Sequence, residues 1–157
     1  MEQSPKKISE ANALSRMSNL CARRECCVFD INAKLVRYNL EPDTIERIIA
    51  ELKKEKYIDE LRFVRSFIHD KVSFNKWGKV KIEFALRQKR IPEYIVAEAF
   101  LDYSEDDLND SLPELIQAKW KTIRANSEYE KRTKLIRFAL GRGFEMSNII
   151  QCMKKLK

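Results

Sequence analysis

The chain has 157 residues, 44% hydrophobic and 35% charged, with only three Gly and four Pro and a formal net charge of +7. That much apolar mass excludes a disordered chain, and the shortage of turn residues excludes a hairpin-rich β fold. With no apolar run of about 18 residues and no charged-then-apolar leader, neither a membrane span nor export is indicated, so the expectation is an all-α protein of the cytoplasm.

Ser9 opens the first helix, its hydroxyl able to accept from the N–H groups of the turn that follows. Leu14, Met17 and Cys21 then share one helical face, Ile31, Leu35 and Tyr38 mark a second helix, and Ile45, Ile48, Ile49 and Leu52 mark a third. The pattern restarts at Asp59, with Phe63, Val64, Phe67 and Ile68, then Ile82, Ala85 and Leu86, then Val96, Ala99 and Phe100. It restarts again at Ser111, where Glu114 completes a capping box, with Leu112, Leu115, Ile116, Trp120 and Ile123, then Leu135 and Ala139, then Ile149, Cys152, Met153 and Leu156. Pro42 and Pro92 stand where a helix begins, the place a missing N–H costs least.

The three start signals lie 50 and 52 residues apart. A helix-ending slot followed by an apolar anchor recurs as Asn39-Leu40, Arg90-Ile91 and Gly143-Phe144, at intervals of 51 and 53. Gly suits a left-handed helix end, Asn tolerates it, and Arg90 either meets it with some strain or ends its helix differently. The expected organisation is three tandem three-helix units, residues 1–57, 58–103 and 104–157. Each core is small, so neighbours pack on one another as an elongated curved array. Ser104 to Asp110 is an acidic connector or an extension of the third unit's first helix, with Pro113 ending or kinking it.

Charge comes in blocks. Residues 1–60 balance at zero, whereas residues 62–90 carry nine Lys and Arg against Asp70 and Glu83. Residues 115–142 carry eight against Glu128 and Glu130, and Asp102 to Glu114 holds six acids with no Lys or Arg. The middle and last units are therefore expected to show positive faces toward a polyanion or an acidic protein surface. The candidate residues are Arg62, Arg65, Lys76, Trp77, Lys79 and Lys81 in the middle unit, and Arg124, Lys131, Arg132, Lys134, Arg137 and Arg142 in the last. Trp77 among lysines suits stacking on a single-stranded base. The plainer reading, which we prefer, is that it seals the junction between two helices, as large aromatics are mostly buried. Tyr38, Phe67 and Trp120 are taken as core. The basic helices are poor in Asn and Gln, which favours phosphate or acidic-protein contact over base readout.

Cys21, Cys26, Cys27 and Cys152 show no C-x-x-C spacing, and His69 stands alone, so neither a metal site nor a disulfide scaffold is expected. Cys21 and Cys152 should be buried thiols, Cys26 and Cys27 are candidates for redox sensitivity, and His69 should pack or face solvent. No phosphate-binding, dinucleotide, metalloprotease or nucleophile-elbow motif occurs, so no enzyme activity and no cofactor are expected.

Four segments together resemble one family. DELRFVRSF (Asp59 to Phe67) is similar to the most characteristic stretch of RecX proteins, and ARRE (Ala22 to Glu25) followed by Lys34-Leu35 resembles their first unit. WGKVKIEFALRQKRI (Trp77 to Ile91) resembles the second helix of their middle unit, with Gly78 in place, and RFALGRGF (Arg137 to Phe144) resembles the ending of the third. The match runs from about Leu14 to Leu156. It departs at Cys27, where the family usually has a capping serine, at Lys79, where proline is common, and at Asn39 and Arg90, where glycine is common. The resemblance implies a regulator that binds the RecA recombinase filament on single-stranded DNA and inhibits strand exchange and ATP hydrolysis; the chain is expected to act as a monomer, with single-stranded DNA contacted through phosphates.

Overall fold

The computed structural model describes residues 7–156. Every regular element among them is helical. In the first part of the chain, α1 (Glu10–Arg23), α2 (Val28–Arg37) and α3 (Pro42–Lys54) pack together, α3 against both others. Their shared core holds Ala13, Met17, Cys21, Ile31, Leu35, Ile45, Ile48 and Leu52, the stripes that the sequence period marks. In the middle, α4 (Glu60–Ser73) lies along α6 (Glu93–Phe100), and α5 (Lys79–Gln88) touches both. In the last part, α8 (Leu112–Thr122), α9 (Glu128–Gly141) and α10 (Met146–Met153) contact one another pairwise around Leu112, Ile116, Leu135, Ala139, Phe144, Ile149 and Met153. The protein is an all-helical repeat array with three separate cores.

The accessible surface is 10896 Å², against about 8,200 Å² for a compact monomer of this mass. The excess follows from placing three small cores in series.

The repeated slot is a repeated backbone conformation. Asn39 has φ 57°, Arg90 φ 56° and Gly143 φ 98°, so all three helix ends close through a left-handed residue. Arg90 adopts the conformation despite its Cβ. Ser9 and Asp59 cap α1 and α4 by accepting from Asn12 N–H at 3.1 Å and Arg62 N–H at 3.0 Å.

Ser111 stands immediately before α8, where the sequence puts a helix start, but it does not cap it. Ser111 makes no capping bond, because the chain reaches it already helical, at φ −81° and ψ −13°. The capping box belongs to Ser104 and Asp107, which open the single turn α7 (Glu105–Leu108). Leu108 from that turn packs in the middle core, so the acidic segment is tied to the second bundle as well as leading into α8. Pro113 neither ends nor kinks a helix; it sits in the first turn of α8.

The thiols also differ from expectation. Cys26 and Cys27 are the more deeply buried, at 4% and 0% exposure, while Cys152 is half-buried. Burial pushes the Cys27 thiol up to about 12, which removes the thiolate that oxidation needs. His69 is exposed and meets Phe74 edge-on at 6.2 Å.

Candidate partner-binding surface

Two joints set where the cations stand. At the first, Cys27 precedes α2 and offers no side-chain cap, and Val28 N–H donates instead to Glu60 Oε1 of α4 at 3.0 Å. Arg62 Nε lies 2.6 Å from Glu25 Oε1, and its Nη2 donates to the carbonyls of Lys56 at 3.0 Å and Tyr57 at 3.3 Å. Lys89 Nζ reaches both oxygens of Asp30 at 2.9 and 2.8 Å. Cys27 itself inserts into the middle core.

The second joint is made of backbone. Gly78 N–H donates to Arg142 O at 2.8 Å and Val80 N–H to Gly143 O at 3.1 Å, so the turn after α9 satisfies the free amides that open α5. A Cβ at Gly78 would lie 2.4 Å from the Gly143 carbonyl, and one at Gly143 would lie 2.4 Å from Lys81 Cβ. Only glycine fits at either place. Arg142 Nη1 closes the joint by donating to Asn75 O at 2.9 Å.

This geometry sorts the twelve residues singled out from the sequence. Arg62 is spent in the first joint, and Arg65 pairs with Asp102 at 3.2 Å. Arg132 pairs with Glu128 and Lys134 with Glu130, each at 3.2 Å. The Glu130 carboxyl accepts from Asn126 N–H and from Lys134, which hold it below the usual carboxylate range. Among the described residues no carboxylate lies within ion-pair distance of Lys76, Lys79, Lys81, Arg124, Lys131, Arg137 or Arg142.

Cations of both basic blocks lie over rings. Lys71 and Lys81 stand 4.7 and 4.5 Å from the Trp77 ring centre, Lys79 5.1 Å from Phe100, and Lys131 4.0 Å from Trp120. Trp77 is half-buried against the middle core. It seals the α4 to α5 turn and carries ammonium groups on its ring, an arrangement suited to anion contact rather than base stacking. Trp120 and Phe67 are likewise half-buried at the edges of cores.

The second joint brings Lys76, Trp77 and Lys81 beside Arg142, more than sixty positions away in the chain. Arg124, Lys131, Lys134 and Arg137 stay on the last bundle, where Lys134 Nζ also donates to Arg124 O at 2.9 Å. Sequence reasoning missed Lys71, Lys89, Asp30 and Glu25. Lys71 and Lys89 sit in a basic block, and Glu25 and Lys89 in quoted motifs; Asp30 carries no local signal.

Among the described residues no cluster of His, Cys, Asp and Glu is suited to hold a metal ion, and no helix is long and apolar enough to cross a membrane. An extended array of small helical bundles, two of them carrying cations that no carboxylate among the described residues neutralises, defines a helical-repeat protein.

Comparison with known proteins makes this specific. Residues 59–99 match the family model of the RecX second three-helix domain, and residues 105–153 that of the third. A Regulatory protein RecX from Prosthecochloris aestuarii is 30% identical over 147 residues, 92% of this chain and 93% of that one. One from Clostridium acetobutylicum is 30% identical over 131 residues, 81% of this chain and 60% of that relative. A crystal structure of regulatory protein RecX superposes with TM-score 0.85 at 21% identity, covering 93% of this chain and 73% of that one. RecX from Lactobacillus salivarius gives 0.75 at 19%, covering 93% and 97%. The chain belongs to the RecX family.

Proposed function

We propose that this chain is a regulator of DNA recombination and repair that binds the RecA recombinase filament on single-stranded DNA and inhibits its strand exchange and ATP hydrolysis. It acts as a monomeric cytoplasmic protein without catalysis, metal or cofactor. The observation that carries the reading is the pairing of an extended three-core body with seven cations that no carboxylate among the described residues neutralises. Such a body lies along a polymer and touches more than one of its protomers. The family membership supplies the partner.

A second reading, a stand-alone DNA binder without sequence preference, draws on Lys71 and Lys81 around Trp77. It is the weaker one, because the ring is half-buried and its cations suit any anion, including an acidic protein surface. DNA-dependent ATP hydrolysis by the cognate RecA, titrated with substoichiometric protein, separates the two, with single-strand binding measured at two salt concentrations. Inhibition well below the amount that coats the DNA supports filament regulation. Steeply salt-dependent DNA binding, with no effect beyond competition, supports the alternative.

A further inference from the structure

The second joint carries an apolar patch that the fold does not need. On α5, Ile82 and Leu86 are fully buried, yet Phe84 and Val80, one turn apart on the opposite side, are 57% and 50% exposed. Val80 N–H is bonded to Gly143 O, and Leu140 and Met146, each 44% exposed, lie three residues to either side of Gly143. Four large exposed apolar side chains therefore flank one hydrogen bond, two of them within a turn of its donor on α5 and two within three residues of its acceptor, an arrangement that marks an interaction site rather than scatter.

The repeat supplies an internal control. At intervals of 51 and 53 residues, the position of Phe84 is Ala33 in the first bundle and Arg137 in the third. Both are exposed, and both bundles form around the same helix-end slot. An exposed ring at this place is thus no requirement of the bundle.

The rim is cationic. Lys76 and Lys79 are exposed beside the start of α5, and Arg137 is exposed on α9 one turn before Leu140, all without an ion-pair partner among the described residues; Arg87 lies one turn beyond Phe84, reaching Glu93 at 3.6 Å. Opposing them are Glu83, half-buried on α5, and Glu145, which precedes α10. Phosphates fit such a surface badly, because they would give up their own water against Val80 and Leu140, which offer no hydrogen bond in return. An apolar stripe with acids beside it satisfies both parts.

We propose that the outer face of α5, with Leu140 and Met146 of the adjoining bundle, docks an acidic amphipathic helix of a protein partner. The proposal rests on the reading that this chain binds a protein. The test uses the full chain and three fluorescent probes in anisotropy titrations. The first is a synthetic peptide with Leu at i, i+3, i+4 and i+7 in a Glu, Gln and Ala background. The second is its scrambled form, and the third an oligo-dT of equal charge.

The expected result is a preference of about ten-fold or more for the amphipathic peptide over the scrambled one. The V80S/F84S double variant loses that preference, and R137E weakens both peptides alike. Should the double variant melt early, Phe84→Arg installs the side chain that the third bundle already carries there, and it must lose the preference too. Equal binding of the two peptides overturns the proposal, as does an unchanged preference in Phe84→Arg or tighter binding of oligo-dT than of either peptide. The filament assay, run beside it, keeps the two ideas apart. If the wild type inhibits the filament and Phe84→Arg inhibits equally, this docking site is wrong while filament regulation stands. If the wild type does not inhibit, filament regulation fails and the peptide comparison still decides the site.

Discussion

The two joints of this molecule do the same mechanical task with different chemistry. The first is held by side-chain charge: Glu25 with Arg62, Asp30 with Lys89, and Glu60 on the amide of Val28. The second is held by main chain, two amides of α5 donating to the turn after α9, with Gly78 and Gly143 in van der Waals conflict with any larger residue. A joint of partly exposed ion pairs weakens with salt and tolerates substitution; one of apposed backbones does neither. The four segments that resemble RecX fall on these joints in pairs. ARRE supplies Glu25 to the Arg62 of DELRFVRSF, and WGKVKIEFALRQKRI supplies Gly78 to the Arg142-Gly143 of RFALGRGF. The family's most recognisable residues in this chain are thus largely those that fix the angles between bundles.

The comparison predicts unequal damage. Gly143→Ala should be the most costly change, about 2–4 kcal/mol, since it adds both a left-handed non-glycine residue and an overpacked contact with Lys81. Denaturant melts will show it, and Gly78→Ala should fall in the same range. A loss under 0.5 kcal/mol for both would mean that the backbone joint opens in solution.

At the charged joint, Glu25→Gln should cost about 0.5–1 kcal/mol at low salt, and most of the difference should vanish in 1 M salt. Cys27 reports the same event directly, being wholly buried in the middle core although it belongs to the first bundle's chain. Its alkylation, followed peptide by peptide in a mass spectrometer, should quicken with salt and with Glu25→Gln, yet not with Phe84→Arg. A Cys27 rate indifferent to salt would remove the distinction between the joints.

A smaller effect, of opposite sign, is expected at Lys56, which has φ 61° beside the charged joint. Lys56→Gly relieves a left-handed penalty of about 1–2 kcal/mol and gives back part of it as chain entropy, leaving a net gain of about 0.5 kcal/mol. Thermal melting at fixed pH measures it.

The smallest effect is one of pH. The Asp107 carboxyl accepts from the backbone and side chain of Ser104 and is held below the ordinary carboxylate range. A carboxyl lowered in the folded state contributes stability above its unfolded value and loses it as pH falls through its folded one. Acid titration should therefore find α7 fraying below about pH 4, with Asp107→Asn flattening that dependence. Carboxyl NMR shifts give the folded value.

The sequence was most informative where structure is local. The apolar stripes became the three cores, and the helix-end slots at 39, 90 and 143 became three left-handed residues, even at Arg90. The acidic stretch misled because local pattern does not say which serine finds a free amide: the cap was expected at Ser111, and Ser104, seven residues earlier, makes it. Tertiary packing chose Ser104, since Leu108 had a place in the middle core.

The candidate surface was legible as composition and not as arrangement. Charge blocks named the bundles that would be basic, but they could not separate Arg62 and Arg65, held by Glu25 and Asp102, from Arg137, which stands clear. Which cation meets which carboxylate depends on residues 37 positions apart in both pairs. Helix, cap and stripe follow from neighbours within a turn or two, and the sequence alone determined those. The joints, the fate of each charge and the exposed ring of Phe84 come from contacts between distant segments, and only the folded array decided them.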